Sequence, residues 1–563
     1  MDNQQTISLE DYFLNLYNGH SGIAERSLDA HRAHIHVKTK LESKITEWLI
    51  EGKDVILTGS PGDGKTHLLQ QVKDEFRRRE LELYSEQDAS QKSEREILLE
   101  WRRARDKKIP FLLAINHAPL RELAKEAKDE LDFKFFYDAI SPTFSDSAKS
   151  EILNFVIYSE EQRMEFEKAQ QAASQDINAS NLMVINLTHR ATLTDIEDFM
   201  IPMLHNLVDI ASRMSCAEDE LPPDCSRCPI QYNVKALRNE TVQKHFLDAL
   251  QLVARRGHRA TVRDIIAFII YALTRGVRCE ELWIGERSFD DNCYYNLAYD
   301  LDARGELFDA VRETFDPGHF ADTKVDLNLW NGSEVDAEWI DVETVSQPAT
   351  LNELRSLKRR YYFESNEQSQ VLFQRLLSET EAKFNDLFEK KRDNQDKVEE
   401  LVKMINLFYA PGANEQDFSY RSQLRLWNSH RYSLGSVPGY FAMRFYSAEK
   451  LELYQPTLNP KYKNALQVHQ DHVLLGTRYW LPGDPSLHID WEMFSALANA
   501  ANGKPIDVQP YHILRRLDLF LRQLGLLVTN YAPIETIEWN DHVRRDVMRL
   551  RVNRNEYKYE EGS

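Results

Sequence analysis

Apolar positions along the first two hundred residues switch repeatedly between helical spacing and short unbroken runs. Ser8 is placed to cap a helix over EDYFLNLY, and Val37, Leu41, Ile45 and Leu49 then fall on one face of a second. The apolar run from Asp54 reads as a strand, followed by a helix from Lys65 to Arg79 whose buried stripe is Leu68, Leu69, Val72 and Phe76. Leu81–Gln87 reads as the next strand, ending at Asp88-Ala89-Ser90 before a charged helix that runs to about Lys107. PFLLAI (110–115), bounded by a proline and by Asn116, and LMVINL (182–187), followed by Thr188, His189 and Arg190, are continuous apolar runs of the kind that fully buried parallel strands carry. Strand and helix in this alternation predict an α/β fold: a parallel sheet covered on both faces, with ligands at the carboxyl ends of its strands. Asp88, Asn116, Asn186 and Arg190 all fall at or just after those ends.

Further along, the pattern changes twice. Residues 191–275 read as helical, with Thr261 placed to cap a helix that carries Arg263 at its start, and the pattern weakens into short helices and loops from 276 to 348. Helix resumes over 351–408, where the charged stretch Glu379 to Glu400 suits an exposed arm. From 419 to 482 short aromatic alternating runs such as YFAMRFY and HVLLGTRYWLP predict an antiparallel sheet, HIDWEMFSALANAANG and PYHILRRLDLFLRQLGLL predict helices, and VMRLRV a closing strand. The expected division is a nucleotide-binding core over 1–190, a helical lid or bundle over 191–348, a helical arm over 349–418 and a mixed α+β partner-binding domain over 419–563.

At 563 residues the chain is too long for one ordinary core. No apolar run reaches the roughly 18 residues of a membrane span and the start is polar and acidic, so neither a membrane segment nor a secretion signal is expected. Five cysteines in so long a chain imply no disulfide framework, and a reducing cytoplasm fits. The formal net charge of −20 argues against a surface that wraps nucleic acid everywhere. It leaves room for a confined basic groove, and candidates are Lys358, Arg359 and Arg360, or Arg544, Arg545, Arg549, Arg551 and Arg554.

The candidate chemistry centres on Gly59, Ser60, Pro61, Gly62, Asp63, Gly64, Lys65 and Thr66, which match the spacing G-x-x-x-x-G-K-S/T between a strand and a helix. Glycines let the backbone N–H groups turn inward, and the helix start adds its positive dipole end, so the loop, with His67 next to it, is expected to cradle the phosphates of ATP. Lys65 would neutralise the β- and γ-phosphates and Thr66 would offer its hydroxyl to Mg2+. Hydrolysis needs more: Asp88 is the candidate second support for Mg2+, against a plain role as a helix cap, and Asn116 the candidate water-orienting residue, against a plain turn role. Arg190 and Arg263 are the candidate positive charges. Cys216, Cys225 and Cys228 have a spacing that suits a structural Zn2+, although no fourth ligand is evident.

Several of these runs together resemble the DptF-type (DndF-type) ATPases of bacterial antiphage restriction systems. The resemblance rests on the glycine-rich loop, the Asp-Ala-Ser after the second strand, FLLAIN ending in Asn116, INLTHR, the Cys-Pro-Ile run at Cys228 with Asn233, and TVRD from Thr261. It covers roughly the first half of the chain. It implies an AAA-like P-loop ATPase that serves as motor or switch beside other subunits of a defence complex, assembles with copies of itself and meets DNA directly or through partners. Members of the group often place an acidic residue right after the strand-end asparagine, whereas His117 and Ala118 stand here. That departure keeps open a nucleotide-bound signalling or scaffold protein with slow or no turnover.

Overall fold

A computed structural model describes residues 9–17, 34–86, 92–128, 130–133, 136–137, 153–156, 182–214, 228–282, 287–319, 323–331, 350–365, 379–388, 394–409, 423–430, 439–458, 469–478, 480, 484–502, 511–528, 534–540, 544–553 and 556–561. In it, the continuous apolar runs become β1 (Asp54–Gly59), β3 (Phe111–Asn116) and β4 (Leu182–Asn186), joined at one edge by a short β2 (Tyr84–Glu86). They form a parallel sheet in the order β2-β3-β1-β4, with Leu57 opposite both Ala114 and Ile185. The fold is thus mixed α/β, mostly helical, with a four-stranded parallel sheet near its start.

Alternation along the strands sorts their side chains into two layers. Val55, Leu57, Leu112, Ala114, Met183 and Ile185 pack with α1 (Lys40–Ile50) and α2 (Lys65–Arg78). Ile56, Phe111, Leu113, Ile115 and Leu182 pack with α3 (Glu94–Asp106) and α4 (His117–Lys128) on the other face. The route from β1 to β2 and the route from β2 back to β3 run in opposite directions along the sheet, so crossovers of one hand must leave α2 and α3 on opposite faces. At the amino end of β1 a buried Asp54 accepts from Trp101 Nε1 at 2.7 Å and from the Phe111 backbone N–H at 3.0 Å, and burial raises its pKa. This carboxylate ties α3 and β3 to the central strand and lies at the end away from the glycine-rich loop.

Sheet and helices belong to a compact unit of residues 1–152, 173–377 and 458–469. Its other core is a helical bundle that includes Ile201–Ala211, Pro229–Leu237, Glu240–Arg255, α5 (Val262–Thr274), Glu306–Thr314 and Leu351–Glu364. Thr261 caps α5 as its sequence suggests: its hydroxyl accepts from the Asp264 N–H and the Asp264 carboxylate answers at the Thr261 N–H, a reciprocal capping box. Within the bundle Arg360 pairs with the buried Glu364, which also accepts from the Tyr232 and Tyr294 hydroxyls. Lys358 pairs with Asp326 and Arg359 with Asp316, so this expected basic cluster is spent on internal ion pairs.

The second unit comprises residues 153–172, 378–457 and 470–563. It holds a four-stranded sheet, in the order Ser486–Asp490, His472–Thr477, Leu451–Leu458 and Leu153–Val156, and a five-stranded sheet whose members are Gln423–His430, Gly439–Ser447, Ile534–Asn540, Arg544–Asn553 and Glu556–Glu561. Helices Trp491–Ala501 and Tyr511–Leu527 follow the first sheet. The HID run expected to open a helix instead ends a strand: Leu487 and Ile489 alternate into the core, and Asp490 then caps the helix through Met493 N–H. Among the described residues, no helix is long and apolar enough to cross a membrane.

Candidate functional site

The register brings three strand ends together, because Gly59 lies opposite Asn116 and Thr58 opposite Asn186. Ser60 to Gly64 continue from β1 into α2, and two of the loop's glycines carry the turn. Gly62 and Gly64 have φ of +95° and +86°, a left-handed conformation that disfavours side chains. Gly64 is the residue before α2 and supplies no side-chain cap, so the first N–H groups of that helix stay unclaimed by any capping side chain.

Lys65 folds back on the loop. Its Nζ donates to the carbonyl oxygens of Ser60 at 2.7 Å and Gly59 at 3.1 Å, and burial lowers its pKa while Asp63 opposes the shift and Arg263 adds to it. Asp63 is itself buried, which raises its pKa, and its Oδ2 accepts from Ser60 N–H at 2.6 Å and from the Thr188 hydroxyl at 3.2 Å. Thr66 sits half-buried in the first turn of α2. His67, next in the turn, meets His36 ring to ring with Nε2 to Nδ1 at 3.0 Å, and His36 Nε2 faces Glu42 Oε2 at 3.0 Å.

The cations expected from the sequence converge here from two elements. At the start of α5, the Arg263 N–H donates to Gly62 O at 3.3 Å, and a side chain at Gly62 would meet the Thr261 hydroxyl at 2.9 Å. The Arg263 side chain is exposed beside the loop. Arg190 follows a 3-10 turn, Leu187–His189, that Asn186 caps by accepting from Thr188 N–H at 3.1 Å. Its guanidinium lies over the Phe199 ring at 4.4 Å, and burial lowers its pKa against the pull of Asp195 and Asp63. That guanidinium makes no hydrogen bond or ion pair with the described residues. The nearby Asp195 is buried, with its Oδ1 unpartnered. A π-turn at Ile196–Met200 connects this pair to the helix Ile201–Ala211.

Asn116 ends β3 exposed at the loop, where it could reach a ligand. His117, the residue sequence reasoning singled out only as a departure, turns out to be a junction. Its Nδ1 lies 3.3 Å from the Thr58 hydroxyl and its Nε2 3.1 Å from the Thr188 hydroxyl. Thr188 was legible only as one residue in a run after a strand, yet its hydroxyl also accepts from Ser60 N–H at 3.1 Å. Its signal in the sequence is its place, a polar side chain two residues past a buried strand.

Asp88, Cys216 and Cys225 lie outside the described residues. Cys228 stands just before the helix Pro229–Leu237 and forms no disulfide. No group of three or more His, Cys, Asp or Glu side chains suited to a metal occurs among the described residues. A cleft of the second unit between Lys383, Lys397 and Phe494 holds less chemistry, because Glu379 and Glu400 pair with Lys383, and Asp386 with Lys397.

The arrangement around the loop therefore offers uncapped helix N–H groups, Lys65, Arg190 and Arg263 to an anion. Comparison of the chain with protein-family models, with curated proteins and with solved structures returned no match.

Proposed function

We propose that the chain is an ATP-binding protein of the P-loop, AAA-like kind that hydrolyses its nucleotide as a motor or switch. The observation that carries it is the pairing of an uncapped helix start with Arg190, a half-buried guanidinium without a carboxylate in contact that feels the charge of Asp63 in the same loop: an anion there would satisfy both. A triphosphate fits that need. Its β- and γ-oxygens would draw Lys65 Nζ off the Gly59 and Ser60 carbonyls, and Thr66 would give its hydroxyl to Mg2+. Asp88 is the further candidate for the metal. Asn116 would orient water, while Arg190 and Arg263 would balance charge growing on the γ-phosphate. Membership of an antiphage defence complex, self-assembly and a role at DNA rest on the resemblance of the first half of the chain to DptF-type ATPases. A structural Zn2+ on Cys216, Cys225 and Cys228 remains part of the same proposal.

One observation favours a second reading, a nucleotide-bound scaffold with little turnover. His117 stands where an acid would activate water, and both its ring nitrogens are engaged by threonine hydroxyls. Steady-state ATP hydrolysis by the wild type and by Lys65→Ala, each with and without double-stranded DNA, separates the two. Turnover that rises with DNA and vanishes in the variant supports the motor; ATP binding with negligible turnover in both conditions supports the scaffold. Hydrolysis undiminished in Lys65→Ala would contradict both.

A further inference from the structure

Counting donors fixes how the junction at His117 is wired. As a carboxylate Asp63 can only accept, so the single proton of the Thr188 hydroxyl is directed to Asp63 Oδ2 at 3.2 Å. Thr188 Oγ1 is then left with acceptor capacity for its two nearer neighbours, the Ser60 N–H at 3.1 Å and His117 Nε2 at 3.1 Å, with the Ser60 hydroxyl farther off at 3.4 Å. His117 must therefore carry its proton on Nε2 and accept from the Thr58 hydroxyl at Nδ1, 3.3 Å away. Burial and the nearby Lys65 both favour that neutral ring. The chain Thr58, His117, Thr188, Asp63 thus runs in one direction from β1 back to the loop that follows β1, where Ser60 N–H donates to the same carboxylate from the other side. It also holds the turn Leu187–His189, and the next residue after that turn is Arg190.

We propose that His117 is a positioning residue that, through the Thr188 hydroxyl, holds the glycine-rich loop and the turn leading into Arg190 in the arrangement that distinguishes a nucleoside triphosphate from a diphosphate. It rests on the nucleotide-binding reading above. The loop backbone serves the phosphates common to ATP and ADP, while Arg190 is one of the cations that would meet only the terminal one. Loosening Thr188 therefore costs ATP more than ADP. The two ring nitrogens can be tested apart, since a glutamine amide N–H reaches about where Nε2 lies, whereas the shorter asparagine amide replaces only the Nδ1 end.

The test measures Mg-ATP and Mg-ADP affinities by displacement of a fluorescent nucleotide, with a thermal melt of each protein. Thr188→Val and His117→Asn should each weaken ATP binding roughly tenfold, the scale of one lost charge-linked hydrogen bond, with a smaller loss for ADP. Their double variant should be no worse than either alone, and His117→Gln should keep the wild-type ATP to ADP ratio. Parallel loss of ATP and ADP in Thr188→Val, or a wild-type ratio in that variant, would overturn the proposal while leaving nucleotide binding intact. Wild-type protein that displaces with neither nucleotide would overturn the underlying reading, and the proposal with it. Should His117→Asn melt at room temperature, the nearly isosteric Thr188→Val decides alone.

Discussion

His117 and Lys65 are both kept from charging as freely as they would in water, and the histidine makes that visible in solution. Burial holds its pKa below the ordinary 6.5, with Lys65 adding to the effect and Asp63 opposing it; Arg121 is the remaining charge that bears on it. Between that lowered value and 6.5 the unfolded chain binds a proton that the folded chain does not, so stability rises with pH through this window and is lost as the pH falls below 6.5. Melting temperatures recorded from about pH 7.5 down to about pH 5.5 should therefore fall more steeply for the wild type than for His117→Gln, which has nothing to titrate there. Equal slopes would mean that His117 is not held neutral as described.

Among the elements, α5 is the one whose start does two things at once. Its capping box of Thr261 and Asp264 secures the first turn, and the same Thr261 stands against Gly62 of the loop. Thr261→Ala removes the cap, for which about 1 kcal/mol of stability is the expected loss in urea unfolding; no change would show that packing of the buried Ile265, Ile269 and Leu273 alone holds the helix start. Elements such as this were legible in the sequence because their signals are local: a Thr-x-x-Asp before an apolar run, and unbroken apolar strands at DVIL, FLLAI and LMVI. The strand Ser486–Asp490 was missed because HID abuts a stronger helical pattern, and only its pairing with His472–Thr477 reveals the alternation of Leu487 and Ile489. The wiring at His117 was illegible for a different reason. Its partners Thr58 and Thr188 lie 59 and 71 residues away, and nothing in the local sequence says which side chains at the converging strand ends will bond to one another.

At the scale of the molecule, the loop is embedded in the first unit between a parallel sheet and a helical bundle, touched by Thr188 from one and by Thr261 and Arg263 from the other. A ligand that gathers Lys65, Arg190 and Arg263 would thus join elements far apart in sequence, and its binding free energy adds to the stability of the folded unit, by about 2.7 kcal/mol at a hundredfold excess over Kd. Everything proposed about turnover, partners and the choice between ATP and ADP depends on that binding. Isothermal titration of Mg-ATP into the purified full-length protein, beside the folded Lys65→Ala variant, tests it most directly. One site per chain in the wild type, lost or weakened at least tenfold in the variant, is the result predicted here. Absence of heat and of any melting shift in the wild type, or equal binding by both proteins, would contradict the assignment of the loop to a nucleotide.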